Sequence, residues 1–356
     1  MKNIFIFATM VTLALPVIAS DASKTSVTLY GIADAGYVRV SNVKGDSRQG
    51  IDSGWLQPSR FGFRGSEDLG GGLRAIFTLE SGVNIDTGAN TSSTSFFNRQ
   101  AFVGLTSNSL GTLTLGRQYT LIFDNLFQIS GSPAFGFSGG AVDGLALPGS
   151  SAGRFDNTLG GTRIDNSIKY TSATASGIQL NAMTGFGEIA GSSSAKQLWA
   201  IGAKYKQGPV YAGLSYQIQK CAEQGGCTTA KDNDKLFAIG GGYDFGPAKL
   251  FAIFTRENNA KNIKNTDGDT AQVIVQIPVG NWLFGAGYQQ LNDKTTLNQD
   301  VKQYNLSVLN YLSKRTTAYA ALSLQNVSNG GKASMAMTNS DNNKQNAFAL
   351  GVRHTF

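Results

Sequence analysis

Apolar and polar residues alternate with a period of two along most of the chain, from Val27 to Phe356. The C-terminal segment shows this most clearly, since every second position belongs to a mostly apolar row: Phe348, Leu350, Val352, His354 and Phe356. The positions between them carry small or polar residues. Strands of about 10 residues with one apolar face and aromatic residues at the borders are typical of β-barrels that cross a membrane.

Two kinds of connection separate the alternating segments. Short ones carry mostly Gly, Pro, Asn or Asp, and long ones are rich in Ser, Asn, Gly, Asp and Lys. The strands predicted between them are sixteen, at about 26–40, 55–66, 73–81, 97–106, 112–119, 163–172, 178–187, 197–206, 210–219, 235–243, 248–256, 270–278, 282–291, 301–310, 316–326 and 345–356. The long connections fall near 41–54, 82–96, 120–162, 188–195, 220–234, 257–269, 292–300 and 327–344.

Strand number and loop length together predict the fold class. An even number of strands, with short turns at one end and long loops at the other, suits a closed membrane barrel, because closure pairs every strand edge. The prediction is an all-β fold, a 16-stranded antiparallel transmembrane β-barrel, which is wide enough to keep an aqueous channel. A soluble β-sandwich is the alternative, although sandwiches are usually shorter.

Residues 1–22 have the features of a signal peptide. Lys2 precedes an apolar run from Ile4 to Ile18, which is too short for a membrane-spanning helix. Small residues at 19–22 provide cleavage sites. Removal of this segment takes away Lys2 and Asp21, so the net charge stays at +7. The barrel, 23–356, is therefore expected to be exported to the outer membrane.

Composition argues against several function classes. The only histidine, His354, lies near the C-terminal membrane edge on the outward row, so it is not available for a Ser-His-Asp triad or a metal cluster. The glycines at 70–72 lie between predicted strands and not before a helix, which argues against a phosphate-binding loop. Basic residues are spread along the chain without a Lys/Arg block. The sequence therefore predicts no enzyme, no cofactor and no nucleic-acid partner.

The two cysteines, Cys221 and Cys227, lie close together in the sequence. A zinc site needs about four ligands, and no histidine is near. In an exported chain a single disulfide that closes a small loop is the favoured interpretation, with two free thiols as the alternative.

Six segments resemble those of one known family, in the same order along the chain: Ser26–Gly36, Ser59–Leu73, Leu115–Tyr119, Arg163–Tyr170, Leu312–Thr316 and Gly351–Phe356. The first four resemble general diffusion porins of Gram-negative outer membranes. The last two are most similar to the betaproteobacterial branch, of the Neisseria and Bordetella type. The resemblance covers the whole chain after the signal peptide.

The resemblance implies a passive pore for ions and small hydrophilic solutes. It also implies a homotrimer, contacts with outer-membrane lipid and lipopolysaccharide, and recognition of the C-terminal Phe356 by the barrel-assembly machinery. In such porins the third extracellular loop folds inward and narrows the pore. The segment 120–162 is the longest gap and is apolar for a surface loop, which suits that role. Packing on the outer face or in a subunit contact is the alternative.

Three arginines match the basic cluster of the family by motif: Arg60, Arg99 and Arg163. Arg60 and Arg163 are out of phase with the apolar residues that follow them, so both are expected to face the lumen. Arg99 faces the lumen if Phe102 faces lipid, and its orientation is otherwise open. An arginine that faces lipid near the membrane midplane costs about 2–4 kcal/mol, which favours the inward orientation.

Three further basic residues occupy positions of the alternating pattern that are expected to face the lumen: Arg64, Arg74 and Lys169. The alternative interpretation of all these residues is that they pair with carboxylates and set no selectivity.

The predicted constriction loop lacks an acidic residue that cation-preferring relatives carry. Its motif consists of Pro133, Ala134, Phe135 and Gly136, with alanine in place of the acid. Charged residues in the loop are few: Asp124, Asp143, Arg154 and Asp156. An arginine-lined wall opposite a weakly acidic loop creates a positive field that favours anions. The prediction is weak anion selectivity, which Asp124 and Asp143 would reduce if they project into the pore.

Two other functions fit the same fold. A substrate-specific channel, for phosphate or an organic anion, would show a conductance that saturates with the solute. A surface adhesin or receptor would use the barrel as a scaffold, with the 220–234 and 327–344 loops as its binding surface.

Overall fold

The computed structural model describes residues 25–127, 163–221, 231–335 and 338–356. Its main sheet consists of β1 Ser26–Val43, β2 Asp46–Ser53, β3 Arg60–Gly70, β4 Leu73–Gly82, β5 Gln100–Ser107, β6 Gly111–Tyr119, β7 Arg163–Thr171, β8 Ile178–Gly185, β9 Leu198–Gln207, β10 Val210–Gln219, β11 Asp234–Asp244, β12 Lys249–Asn258, β13 Gly268–Val279, β14 Trp282–Asp293, β15 Val301–Tyr311, β16 Thr316–Val327 and β19 Lys344–Thr355. A separate two-stranded sheet pairs β17 Ser334–Met335 with β18 Thr338–Asn339. A π-helical turn, Phe123–Phe127, and a 3₁₀ turn, Ala260–Asn262, complete the elements.

The main sheet closes on itself, because β1 pairs antiparallel with β19 on one side and with β2 and β3 on the other. β2 pairs with the second half of β1, and β3 pairs with its first half, Ser26–Ile32. The seventeen strands of the sheet therefore fill sixteen positions around the wall. The predicted 16-stranded antiparallel barrel is confirmed.

The first hairpin differs from the prediction of a long loop at 41–54. β1 continues to Val43, and the turn at Lys44 and Gly45, both with positive φ, leads directly into β2. Positive φ at both central residues is the backbone of a tight hairpin. The sequence of β2 is polar and gives no strand signal, so pairing with β1 determines its conformation.

The segment 54–59, between β2 and β3, leaves the ladder and packs around the buried carboxylate of Asp34. The backbone N–H of Gln57 donates to one Asp34 oxygen at 2.8 Å, and the Tyr319 hydroxyl donates to the other at 2.8 Å. These bonds fix the chain immediately before Arg60, which is the first residue of β3.

The two faces of the wall differ in chemistry, as predicted. Large apolar side chains are exposed on the outward row, among them Leu113, Leu180, Leu214, Val273, Trp282 and Leu306. The inward row carries buried polar side chains, among them Gln217, Gln272, Gln289, Gln303 and Gln325. A barrel with an apolar exterior and a polar interior is suited to lipid outside and water inside.

The two ends of the barrel also differ. Short turns join strands at one end, for example Gly71–Gly72 between β3 and β4, where both glycines have positive φ. Most connections at the other end are long. In outer-membrane barrels the short turns are periplasmic and the long loops are extracellular.

No helix within the described ranges has the length and hydropathy required to cross a membrane.

Two predictions lie partly or wholly outside the described residues. The predicted signal peptide, 1–22, belongs to the undescribed N-terminal segment. Cys221 is disulfide-bonded, but Cys227 lies outside the described ranges. The pairing of Cys221 with Cys227 therefore stays a prediction.

Candidate functional site

The inner wall contains a buried ion pair between Arg99 and Glu80. Arg99 Nε donates to Glu80 Oε1 at 2.8 Å, and the two side chains are 8% and 4% exposed. The second carboxylate oxygen accepts the Tyr30 hydroxyl at 2.9 Å. Charge-assisted hydrogen bonds of this kind are strong and directional, so the Arg99 guanidinium has one fixed position.

Tyr119 links Arg99 to a second arginine. Its hydroxyl accepts from Arg99 Nη2 at 3.1 Å and from Arg163 Nη2 at 3.2 Å. The Arg163 guanidinium carbon also lies 4.7 Å from the centroid of the Tyr119 ring, a distance suited to a cation–π contact. One tyrosine therefore holds two cationic side chains beside each other.

Arg60 completes the cluster with fewer bonds. Its Nε donates to the Pro58 carbonyl at 2.9 Å, while its Nη2 has no hydrogen-bond partner in the described part of the chain. Unlike Arg99, it forms no ion pair with a described carboxylate. Three arginines and one glutamate give the cluster a net charge of +2, since 3 − 1 = 2. The described part of this wall therefore carries an excess of positive charge, and the unpartnered Arg60 Nη2 is buried within it.

From the sequence, Arg99 is expected to face the lumen if Phe102 faces lipid. Arg99 does lie in the cluster, but for a different reason. Phe102 does not share the outward row of the exposed Val103, so the condition on Phe102 is not met. Arg99 precedes β5, and its N–H donates to the Glu80 carbonyl, while Gln100 is the Cα partner of Glu80. Arg99 and Gln100 therefore both oppose Glu80, as at a β-bulge, and the inward–outward alternation of side chains is interrupted before β5.

A second irregularity affects Arg163. The register between β6 and β7 shifts between Gly116 and Gln118, and Asn166 opposite them has positive φ. Ile164 consequently packs against the interior cluster. The phase argument from Ile164 therefore fails across this bulge, although Arg163 still faces inward.

The chain after β6 turns into the barrel and docks on the inner face of β8 to β10. Asn125 Nδ2 donates to Asn181 Oδ1 at 3.0 Å, to Ser215 Oγ at 3.0 Å and to the Leu214 carbonyl at 3.2 Å. In return Asn181 donates to Asn125 Oδ1 at 2.6 Å. The beginning of the predicted constriction loop, through residue 126, therefore lies inside the barrel.

Two glycines on that wall make room for Asn125. A Cβ on Gly213 would lie 2.2 Å from the Asn125 carbonyl oxygen, and a Cβ on Gly202 would lie 2.3 Å from Asn125 Nδ2. Both distances are shorter than any side-chain carbon tolerates. These positions need glycine because the incoming loop approaches their backbone.

Asp124 does not face the passage as a free charge. Its Oδ2 accepts from Lys169 Nζ at 2.7 Å, and the same ammonium donates to the Tyr119 carbonyl at 3.1 Å. Lys169 has the predicted inward orientation, but its charge is compensated locally. The pair connects the start of the loop to β7.

Replacement of Asn125 by alanine is expected to loosen the loop and to raise the single-channel conductance. The change removes three donated bonds and leaves Asn181 with unsatisfied polar atoms, which costs about 1–3 kcal/mol of docking energy. Conductance in planar bilayers measures the effect. Asn326→Ala, at an exposed position on β16, is the matched control. An unchanged conductance in Asn125→Ala would show that docking at this point does not limit the pore.

The remaining predicted site residues are not part of the arginine cluster as the structure describes it. Arg64 lies over the Tyr30 ring, with its guanidinium carbon 4.2 Å from the centroid, and Arg74 is exposed on β4. Pro133, Ala134, Phe135, Gly136, Asp143 and Arg154 lie outside the described residues.

The C-terminal strand β19 has the predicted outward row, with Phe348, Leu350, Val352 and Phe356 exposed. Backbone bonds of 3.0 and 3.1 Å join Phe356 to Gly31 and so close the barrel.

Sequence reasoning missed Glu80, Tyr119 and Asn125. Glu80 could have been found, because it is an even number of residues from Arg74 on β4 and so faces the same side of the sheet. Its Cα partner on β3 is Gly62, which belongs to the inward row of Arg60. Tyr119 and Asn125 have no such signal, because the bulge in β6–β7 and the loop docking come from contacts that are distant in sequence. Among the described residues no group of His, Cys, Asp or Glu is placed to hold a metal ion.

Comparisons with known proteins agree with this architecture. The family model described as Gram-negative porin matches residues 8–332. The chain is 30% identical to outer membrane porin protein 32 of Delftia acidovorans, over 97% of this chain and 99% of that protein. It is 28% identical to an outer membrane porin protein of Bordetella pertussis, over 94% of this chain and 95% of that protein. A solved structure, the anion-selective porin from Comamonas acidovorans, has a TM-score of 0.77 at 26% identity, and 94% of this chain and 100% of that chain are covered.

The family match covers most of the chain, and the structural match covers all of the other porin. The closed barrel, its polar interior and its apolar exterior provide a passage through a membrane. The chain belongs to the Gram-negative porin family and forms an outer-membrane pore for the passive diffusion of ions and small hydrophilic solutes.

Proposed function

We propose that the pore is weakly anion-selective and that Arg60, Arg99 and Arg163 line its constriction. The observation that carries this proposal is the excess of cations among the described residues of this section of the wall, where Arg60, Arg99 and Arg163 lie beside one carboxylate, Glu80. A positive field at a narrow point lowers the barrier for anions and raises it for cations. The structural relative from Comamonas acidovorans is described as anion-selective, which supports the same sign.

The local neutralisation of Asp124 supports the proposal further. Its carboxylate is paired with Lys169 and lies where the loop begins. Because this ion pair has no net charge, it does not reduce the positive field of the arginines. Asp143 lies outside the described residues, and an inward Asp143 would make the preference smaller.

The reversal potential in a planar bilayer under a KCl gradient tests the proposal. We expect stepwise conductance with a potential that favours chloride, because the charged wall excludes potassium more than chloride. A potential that favours potassium would contradict the arginine assignment and leave the pore itself intact. Conductance that saturates with phosphate or an organic anion would show a substrate-specific channel. An adhesin would lose cell binding after deletion of the 220–234 or 327–344 loop, with permeability unchanged.

We also propose that the mature protein lacks residues 1–22 and assembles as a homotrimer, and that the barrel-assembly machinery recognises Phe356. Family membership and the exposed C-terminal row support these points. Migration of unheated and heated samples on a denaturing gel tests the trimer. A single band at the monomer position without heating would contradict it.

A further inference from the structure

A second row of inward side chains crosses the wall beside the arginine cluster, on the side of the short turns. In this row each residue is the Cα partner of the next: Thr28, Arg64, Thr78 and Phe102. Thr78 lies two residues from Glu80 on β4 and therefore faces the same side of the sheet. A solute that passes the cluster toward the short turns meets this row, the Arg64 row, next.

Arg64 places a cation with a defined position in the row. Its guanidinium carbon lies 4.2 Å from the centroid of the Tyr30 ring, a distance suited to a cation–π contact. The Tyr30 hydroxyl in turn donates to Glu80 at 2.9 Å, which holds the ring in place. Arg64 is exposed, and it forms no ion pair with a carboxylate in the described part of the chain. Its charge is therefore accessible from the lumen.

The other end of the row is apolar. Phe102 is half-buried and alternates with the exposed, outward Val103, so its ring faces the lumen. Ile76, two residues before Thr78 on β4, is also half-buried and faces inward. The Cα partner of Ile76 on β5 is Gly104, which adds no side chain beside it. A phenyl ring and an aliphatic side chain therefore form one small apolar patch.

The cation and the ring are separated by a single strand. Neighbouring strands lie about 4.8 Å apart, so the Cα atoms of Arg64 and Phe102 are roughly 10 Å apart across Thr78. The Thr78 side chain between them is half-buried and provides a hydroxyl donor. A charged group at one end, a donor in the middle and an apolar surface at the other end suit a solute with a carboxylate and a ring.

The surrounding charges leave the row with one uncompensated cation. Glu80 is 4% exposed, and its two oxygens accept from Arg99 and from Tyr30. Arg74 and Asp68 are Cα partners nearer the turn and carry opposite charges. The Arg64 row therefore matches an anion with a single negative charge.

We propose that Arg64, Thr78 and Phe102 form a subsite for aromatic monocarboxylates on the periplasmic side of the arginine cluster. The carboxylate of the solute pairs with the Arg64 guanidinium and accepts from the Thr78 hydroxyl, while its ring contacts Phe102 and Ile76. The subsite rests on the proposed passage of anions through the pore. It adds a preference among organic anions, because an anion without a ring reaches the cation but gains nothing from the apolar patch.

Block of the chloride current by sodium benzoate at neutral pH tests the subsite in planar bilayers, with sodium acetate as the comparison. We expect benzoate to reduce the NaCl conductance in a saturable manner and at lower concentration than acetate. Phe102→Ala removes the ring contact and should raise the half-blocking concentration of benzoate by about threefold to tenfold, with no change for acetate. Arg64→Gln should raise it by about twofold to fivefold for both anions, because both contact the cation.

Two outward residues on neighbouring positions provide the controls. Phe63→Ala removes an exposed ring from the outer face of β3, and Arg39→Gln removes an exposed cation from the outer face of β1. Both variants should be blocked like the wild type. Stepwise conductance in NaCl alone shows that a variant is folded and open. Phe102→Leu, which keeps an apolar side chain without the ring, takes the place of Phe102→Ala if the alanine variant forms no channels.

Equal half-blocking concentrations of benzoate and acetate in the wild type would overturn the proposal, as would an unchanged benzoate block after loss of the Phe102 ring. The reversal potential keeps the two proposals apart. A chloride-favouring potential with benzoate acting like acetate would leave the anion preference and remove the subsite. A potassium-favouring potential with a block by benzoate that depends on Phe102 would remove the anion preference and leave the subsite.

Discussion

Simultaneous replacement of Arg60, Arg99 and Arg163 by glutamine is expected to shift the pore from chloride preference toward potassium preference. The three guanidinium groups lie in one cluster on the inner wall, and Glu80 is the carboxylate that pairs with one of them in the described part of the chain. After the replacement the cluster changes from +2 to −1, since 2 − 3 = −1. The sign of the local field therefore reverses.

The size of the shift follows from Coulomb interactions in a wet pore. A unit charge about 6 Å from a passing ion contributes about 0.7 kcal/mol at the dielectric constant of water, and salt reduces this value. With salt screening, three such charges contribute about 0.5–1 kcal/mol to the barrier of each ion, with opposite signs for anion and cation. The difference between the two barriers therefore changes by about 1–2 kcal/mol, and the anion-to-cation permeability ratio should fall by roughly fivefold to thirtyfold. The reversal potential under a KCl gradient measures this ratio.

The triple variant Arg256→Gln, Lys294→Gln, Lys302→Gln at exposed positions is the matched control, because it removes the same formal charge outside the lumen. It should leave the reversal potential near the wild-type value. Equal shifts in both variants would mean that overall charge, and not the constriction, sets the ion preference. No shift in the inner variant would remove the arginines from the selectivity mechanism.

Loss of Arg99 alone is expected to be the most destabilising single change in the cluster. Arg99→Gln leaves the Glu80 carboxylate buried, with the Tyr30 hydroxyl as its remaining side-chain partner among the bonds described. A buried charge without its counter-ion costs about 3–5 kcal/mol. The free energy of unfolding in urea, measured in lipid vesicles, should fall by about this amount.

Glu80→Gln provides the other half of a double-mutant cycle. Since the double variant Glu80→Gln, Arg99→Gln contains no unpaired buried charge, it should be more stable than the sum of the single changes predicts. Arg256→Gln breaks the exposed pair with Asp269 and serves as the control, with an expected loss of about 0–1 kcal/mol. Additive losses in the cycle would show that Arg99 and Glu80 do not depend on each other.

Much of the barrel could be predicted from alternation alone. Strands such as β10 and β15 were predicted within one residue of their observed ends, because each carries an unbroken apolar row that only one register can turn toward lipid. Arg60 is the first residue of β3, and no irregularity separates it from the alternating residues that follow, so its phase can be read from the sequence. The prediction was poorer for β2, whose polar sequence resembles a loop.

The sequence by itself therefore determined the barrel class and most strand positions, because a period of two is a local property of the chain. The tertiary structure decided how the inner wall is arranged. Tyr119 joins Arg99 to Arg163, Glu80 balances one of them, and Asn125 fits against glycines on β9 and β10. These contacts join residues that are far apart in sequence, and bulges at β5 and β7 change which residues face inward. Closure of the barrel brings these residues together, and no local pattern contains that information.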